Sequence, residues 1–331
     1  MFDKLLKNDI IIMKEKVRKI MLKCVVIYNP NSGKLTNRSD LRKIYKILEN
    51  YDYDTEIIYT EYKGHAKEIT KKLKNVDLLL CAGGDGTLNE VISGNIERKK
   101  PILLGHLPLG SVNDVAHMYG MSSNTSKNIV MLLNGVQKNI DVCLINNNPF
   151  VYVACIGAYV DISYATPRKL KEKYGRLAYV MYGIQQLKQN LHFYDIKYTI
   201  DGQTYEKRVS FIFITNSNRV GGVQNIYSDV KLDDNKFEVL LCDIKNKWDI
   251  IKVLHYLKRR EMNDIPGLTY FKTDNIKLEF DKIPPSWCID GDELLTNTNV
   301  FEININKSNT MLLPSKNIDK LFEEINDFNE E

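Results

Sequence analysis

Residues 80–90, Leu-Cys-Ala-Gly-Gly-Asp-Gly-Thr-Leu-Asn-Glu, carry the clearest chemical signal in the chain. Gly83, Gly84 and Gly86 let an anion approach the main chain closely enough to meet backbone N–H donors, and a helix starting there adds a favourable dipole. Asp85 would not face phosphate without a cation between them, so it implies Mg²⁺ or a structured water network. The plainer reading is a tight turn in which Asp85 caps a helix. Two further turns have the same texture. Asn29-Pro30-Asn31-Ser32-Gly33-Lys34 offers an amide, a hydroxyl and free backbone amides, and residues 107–114, Leu-Pro-Leu-Gly-Ser-Val-Asn-Asp, offer Gly110, Ser111, Asn113 and Asp114. Each alone is an ordinary turn or capping pattern. Three such turns on one sheet edge make a nucleotide pocket the economical reading. Neither the P-loop spacing nor the dinucleotide fingerprint G-x-G-x-x-G is present.

These turns punctuate a regular alternation. Apolar runs at 24–29, 55–60, 76–84 and 101–108 each lead through a turn into a helix-period segment. That repetition predicts a mostly parallel sheet with helices on both faces, and in such sheets ligands gather at the carboxyl ends of the strands. The expected helices end near Leu48, run from His65 to Lys74 and from Thr87 to Ile96, and lie near Val112–Tyr119. After about Asn134 strand-like segments follow one another, including a long one at 203–216 and one at 300–306, with helical interruptions at 174–190 and 248–260. That texture predicts a β-rich, mainly antiparallel second domain. The expected division is an α/β nucleotide-binding domain over 1–135 and a β-rich acceptor domain over 136–310, with about 310–331 packing back on the first.

The remaining chemistry is sparse. The chain has 331 residues and a formal charge of +4, too mild a balance to suggest nucleic acid as a partner. Its six cysteines form no C-x-x-C pair and read as small buried residues of a protein in a reducing compartment. No apolar run reaches the ~18 residues of a membrane span. A basic segment, Arg168, Lys169, Lys171, Lys173 and Arg176 against Glu172, precedes an aromatic-rich helical stretch. It suits docking on an anionic membrane surface, or else is a solvated helix face. His65, His106 and His117 lack metal-ligand spacing and are expected to be structural.

The motifs NPNSGK, GGDGTLNE and LPLGSVNDVA, in this order, resemble the diacylglycerol kinase catalytic domain, whose superfamily includes the sphingosine and long-chain-base kinases. The resemblance continues through YVACIGAYVDI, KYGRLAYVMYGIQQL, DVKLDDNKFEVLL and CIDGDE, so it spans roughly residues 22–315 and is nearest to the soluble bacterial branch. It implies a cytoplasmic kinase, peripheral at the inner face of the membrane, with ATP in an interdomain cleft. Such a kinase would pass the γ-phosphate to diacylglycerol or a related lipid alcohol. A sphingoid-base kinase and a non-catalytic nucleotide-binding homologue are the alternatives, and a homodimer is left open. By position, the nucleotide contacts fall on Asn29, Pro30, Asn31, Ser32, Gly33, Thr60, Gly84, Asp85, Gly86, Thr87, Leu88, Asn89, Glu90 and Ser111, with Asp85 also in the catalytic set. A structural Mg²⁺ falls on the loop of Lys231, Asp234 and Lys236. The proton-accepting carboxylate falls on Asp292, one methylene shorter than the family's Glu, with Glu293 as its neighbour. Ser111 replaces the usual Thr and Asn235 the usual Gly; serine keeps the hydroxyl, and asparagine tolerates a left-handed backbone.

Overall fold

The computed structural model describes residues 21–32, 38–157, 193–220, 223–224, 229–243, 267–316 and 318–323. The first half follows the βα alternation. Strands β1 (Leu22–Tyr28), β2 (Tyr53–Tyr59), β3 (Leu78–Gly83) and β4 (Leu103–Pro108) pair in the order β2-β1-β3-β4, all parallel. Helices α1 (Arg38–Asn50), α2 (His65–Lys72), α3 (Asp85–Ile96), α4 (Asp114–Met118) and α5 (Thr125–Leu133) flank them, α1 packing with α5 and α2 with α3. The central strand β3, Leu-Leu-Leu-Cys-Ala-Gly, is buried along its whole length. A strand covered on both faces has no reason to alternate polar with apolar residues, hence its unbroken hydrophobic run.

The second half is antiparallel. The remaining strands of the first sheet are β5 (Val136–Ile145), β6 (Asn148–Phe150), β8 (Tyr194–Ile200), β9 (Gln203–Val209), β15 (Ile276–Phe280) and β18 (Val300–Leu313). A second sheet, in the order β14-β13-β10-β7-β16-β17, contains β7 (Val153–Gly157), β10 (Phe211–Thr215), β13 (Phe237–Cys242), β14 (Leu268–Thr273), β16 (Ser286–Ile289) and β17 (Asp292–Leu295). A short pair, β11 (Arg219–Val220) and β12 (Val223–Gln224), and the closing helix α6 (Ile318–Leu321) complete the described elements. Ile196, Leu278, Phe301 and Ile303 from the first sheet pack on Ile212, Val239 and Trp287 from the second. Trp287, Phe280 and Phe301 meet edge-to-face or tilted with centroids 5.4–6.3 Å apart. Full burial of each such ring removes enough apolar surface to contribute about 1.5–3 kcal/mol.

Two elements depart from the sequence expectation. The strand expected over 203–216 is two strands in different sheets, broken at Ser210, whose N–H and hydroxyl both donate to the Cys242 carbonyl (2.8 and 3.3 Å). The strand expected at 300–306 continues to Leu313. It lies antiparallel to β5, with an irregularity between Asn306 and Asn309, and meets β4 in parallel at Met311 and Leu104. One long strand therefore joins the parallel and antiparallel regions into a single sheet. The expected helices at 174–190 and 248–260 lie outside the described residues.

Candidate functional site

Three turns at the carboxyl ends of parallel strands converge. After β3, Gly84 is the N-cap of α3, and after β4 the chain turns through Gly110-Ser111-Val112-Asn113 into α4. The two turns touch backbone to backbone: a β-carbon added to Gly110 would stand 2.7 Å from the Gly84 Cα, and one added to Gly84 would stand 3.2 Å from the Gly110 Cα. Asn113, at φ 52°, closes its own loop by donating from Nδ2 to the Gly110 carbonyl (2.7 Å) and accepting from the Gly110 N–H (2.8 Å). That closure uses residues expected to start a helix near Val112, so α4 begins only at Asp114. From the third turn, after β1, Asn29 donates its Nδ2 to the Thr87 hydroxyl (2.9 Å) and accepts from the Asn31 N–H (2.9 Å), while the Ser32 hydroxyl donates to the Asn29 carbonyl (2.8 Å). Pro30 lies between them. Thr60, after β2, is buried and donates its N–H to the Tyr28 carbonyl (2.9 Å). Ser111 is exposed at the mouth, Leu88 is wholly buried, and Gly33 lies outside the described residues.

The acids divide by burial. The Asp85 carboxylate accepts from the N–H groups of Asp114 (2.9 Å) and Val115 (3.4 Å), at the start of the neighbouring helix α4. Burial, reinforced by the Asp114 charge, pushes its pKa from 3.8 up to about 7, against the opposing pull of those backbone donors. Asp114 pairs with Arg219 at 2.9 Å, both side chains almost fully enclosed. Asp290 is also buried and accepts from the N–H groups of Val151 (2.7 Å), Tyr152 (3.0 Å) and Val153 (3.1 Å) and from Asn89 Nδ2 (2.7 Å). Burial raises its pKa while these four donors hold it down. Asn89 also donates to the Pro149 carbonyl (2.8 Å), so α3 is tied to β6 and to the Asp290-Gly291 turn. Glu90, expected as a nucleotide contact, accepts from the N–H groups of Gly64 (2.7 Å) and Ala66 (3.2 Å) at the start of α2.

Beyond Asp290 and Gly291, both at positive φ, the chain turns and Asp292 opens β17. Its carboxylate reaches over the first turn of α3: a β-carbon added to Gly86 would stand 3.7 Å from an Asp292 oxygen. The Lys63 ammonium lies 3.2 Å from the same carboxylate. Glu293 is exposed on the next residue and pairs in register with Cys288.

The loop of Lys231, Asp234 and Lys236 sits elsewhere, against β5 and the C-terminal helix. The Lys231 ammonium donates to the carbonyls of Asp319 (3.0 Å) and Phe322 (2.5 Å), and Asp234 accepts from the Lys236 N–H (3.0 Å). Asn235, at φ 60°, donates its N–H to Asp141 (2.6 Å). Burial pushes the Asp141 pKa up to about 6, with Asp234 and Asp233 adding to the rise. Glu238, on β13 and buried, is pushed up to about 8 by the same cause, and its Oε2 has no hydrogen-bond partner among the described residues. The basic residues Arg168, Lys169, Lys171, Lys173 and Arg176 lie outside the described residues.

The histidines engage the fold. His106 Nε2 meets the Gly83 carbonyl at 3.2 Å, and burial pushes its pKa down to about 4. His65 Nδ1 accepts from the Glu61 N–H, and His117 Nδ1 meets the Met121 carbonyl. Lys63, Arg219 and Asp141 carry no sequence signal. The first is one of many surface lysines, and the others are recognised only by what the fold sets beside them.

The diacylglycerol kinase catalytic domain model matches residues 23–145, and the YegS C-terminal NAD kinase beta sandwich-like domain model matches residues 157–305. A diacylglycerol kinase of Bacillus subtilis (strain 168) is 30% identical over 78% of this chain and 86% of its own length. One from Staphylococcus aureus (strain JH9) is 30% identical over 76% and 81%. A solved structure of a diacylglycerol kinase from Bacillus anthracis str. Sterne has the same fold, with a TM-score of 0.70, 22% identity and coverage of 89% of this chain and 98% of that one. A cluster of glycine-bearing turns, a carboxylate brought over it from the antiparallel half and these likenesses have one common reading: the chain belongs to the diacylglycerol kinase family and is a phosphotransferase.

Proposed function

We propose that this kinase transfers the γ-phosphoryl group of ATP to the hydroxyl of diacylglycerol or a related lipid alcohol, giving phosphatidic acid or its equivalent. The observation that carries the reading is the position of the Asp292 carboxylate over Gly86, at the head of the glycine turn. Phosphoryl transfer needs little covalent work from the protein. It needs an anion seat, a positioned acceptor hydroxyl and a group to take its proton. The contact between Gly84 and Gly110 leaves both turns free of side-chain bulk, as a backbone cradle for phosphate requires. Asn29, Asn31, Ser32, Thr87 and Ser111 stand around it as polar contacts, with Pro30, Gly33, Thr60, Gly84, Asp85, Gly86, Leu88 and Asn89 completing the nucleotide set. The Asp85 carboxylate and Glu90 serve this seat by fixing the helices beside it.

Residues 1–135 then form the nucleotide unit and 136–310 the acceptor unit, and the pairing of β18 with β4 supports a return of the chain beyond about 310 to the first. The loop of Lys231, Asp234 and Lys236 fits a hard cation such as Mg²⁺. Asp234 would supply a carboxylate and the main-chain carbonyls of the two lysines neutral oxygens, with the Asp233 and Asp141 carboxylates nearby, although among the described residues no group of three or more His, Cys, Asp or Glu is gathered for a metal ion. Bound there, Mg²⁺ would offset that charge and hold the loop. The basic residues Arg168, Lys169, Lys171 and Lys173 are proposed to dock on anionic lipid at the inner face of the membrane. Among the described residues no helix is long and apolar enough to cross one.

The test is a radiolabelled-ATP assay of the full chain against diacylglycerol and sphingosine in mixed micelles. Label should enter diacylglycerol, and Asp292→Asn should lower kcat by about 10²–10⁴-fold, the usual contribution of a general base. Transfer to sphingosine alone would move the reading to a long-chain-base kinase, and full activity in Asp292→Asn would remove that residue from the proton-accepting role.

A further inference from the structure

No motif points to Lys63, yet the fold builds a platform for it. Gly64, at φ 92°, and Ala66 donate their N–H groups to Glu90, which α3 carries. Tyr62 stacks on the His65 ring at 4.5 Å with 8° between planes and donates its hydroxyl to Glu68 (3.2 Å). The loop is thus fixed to the helix whose first turn is the glycine turn, and it presents Lys63 to Asp292 at 3.2 Å. Both side chains are open to water, at 74% and 55% exposure. An exposed pair is screened and weakly held, so its ammonium is free to exchange partners.

Phosphoryl transfer to a hydroxyl beside Asp292 brings two anions, the carboxylate and the terminal phosphate, close to one glycine turn. Their repulsion opposes that approach unless a cation stands between them. A lysine ammonium has three donors on a flexible stem and can serve both groups at once. We propose that Lys63 is a binding residue for the terminal phosphate of the nucleotide, shared with Asp292. With the turn empty it pairs with the carboxylate; with phosphate seated it lies between the two anions. This rests on the reading of the glycine turn as the phosphate seat and of Asp292 as the proton acceptor.

Isothermal titration calorimetry of the full chain with adenosine 5′-(β,γ-imido)triphosphate, which is not turned over, tests the contact without activity. Lys63→Ala should weaken binding about tenfold, the scale of one lost charge-assisted contact, whereas Lys63→Arg should stay within about threefold of the unaltered protein. Asp292→Asn should bind the analogue as tightly or more tightly, because the competing carboxylate is gone. The thermal midpoint should be the same in all four proteins, which a merely structural lysine would not leave unmoved. Unchanged affinity in Lys63→Ala, an Arg variant as weak as Ala, or a loss of affinity in Asp292→Asn would each overturn the shared-cation proposal. Loss of the Asp292 role in the lipid assay would leave the calorimetric result standing, so the two readings fail separately.

Discussion

The carboxylates near the glycine turn differ in what surrounds them, and that difference sets what each can do. Asp292 is exposed and stands beside a cation. Asp85 is half-buried with Asp114 nearby; burial first and that charge second raise its pKa, so its contribution to stability depends on pH. In the unfolded chain Asp85 takes its ordinary pKa of 3.8, and in the folded protein about 7, so the folded state holds more protons between those values. Stability from this group is full below about pH 4 and declines as pH rises through about 7, by roughly 4 kcal/mol in all at 1.36 kcal/mol per pKa unit. Asp85→Asn removes the titration. The difference in urea midpoint between the unaltered protein and this variant should shift steadily across that window and level off above it. Parallel pH curves would show that Asp85 does not titrate there. The sequence marked Asp85 as chemically notable and left open whether it faced a cation or capped a helix. Its observed partners, the N–H groups of Asp114 and Val115, belong to a different turn.

At the scale of elements, the glycine turn and the Gly110 turn work as one unit. Overpacking a close contact typically costs 1–3 kcal/mol. Gly110→Ala drives a methyl group against the Gly84 backbone and against the Asn113 amide, which its two bonds to Gly110 hold in place, so the turns must part. We expect that variant to lose about 1–3 kcal/mol of stability and at least tenfold in affinity for the imido analogue, read by urea unfolding and calorimetry. Affinity equal to the unaltered protein would show that the phosphate seat does not depend on this contact. That both turns begin helices after parallel strands was legible from the alternating apolar runs. The short α4 was not, because Asn113 spends its side chain closing the loop before the helix can start. The break at Ser210 was equally hidden, since the apolar alternation continues through it while the chain changes sheets.

Across the whole molecule, the two halves are joined by the shared strand β18 and by polar contacts around the site. Among the described residues the pair of Arg219 with Asp114 is the most deeply enclosed ion pair. Removing one member leaves the other buried without its countercharge, which costs about 3–5 kcal/mol. Arg219→Met should lower the unfolding free energy by about that much, and the double variant Arg219→Met with Asp114→Leu should recover part of it. A loss below ~1 kcal/mol in the single variant would show that the pair contributes little. The antiparallel character of the second half followed from runs of strands without helices between them. The length of β18 did not, because its last residues gain their strand partners only when β4 and β5 lie beside them.

The sequence by itself determined the α/β-then-β order of the fold, the three glycine-bearing turns and the family, because periodicity, turn chemistry and motif order are local properties of the chain. Tertiary structure alone decided which groups face one another. Asp292 over Gly86, Lys63 beside Asp292, Arg219 on Asp114 and Glu90 under the Lys63 loop all join residues distant in the chain, whose approach depends on how helices and sheets pack. Packing then separates like residues: Asp85 and Asp292 share a side chain, but Asp85 lies against the N–H groups that start α4 while Asp292 stands open to water beside Lys63.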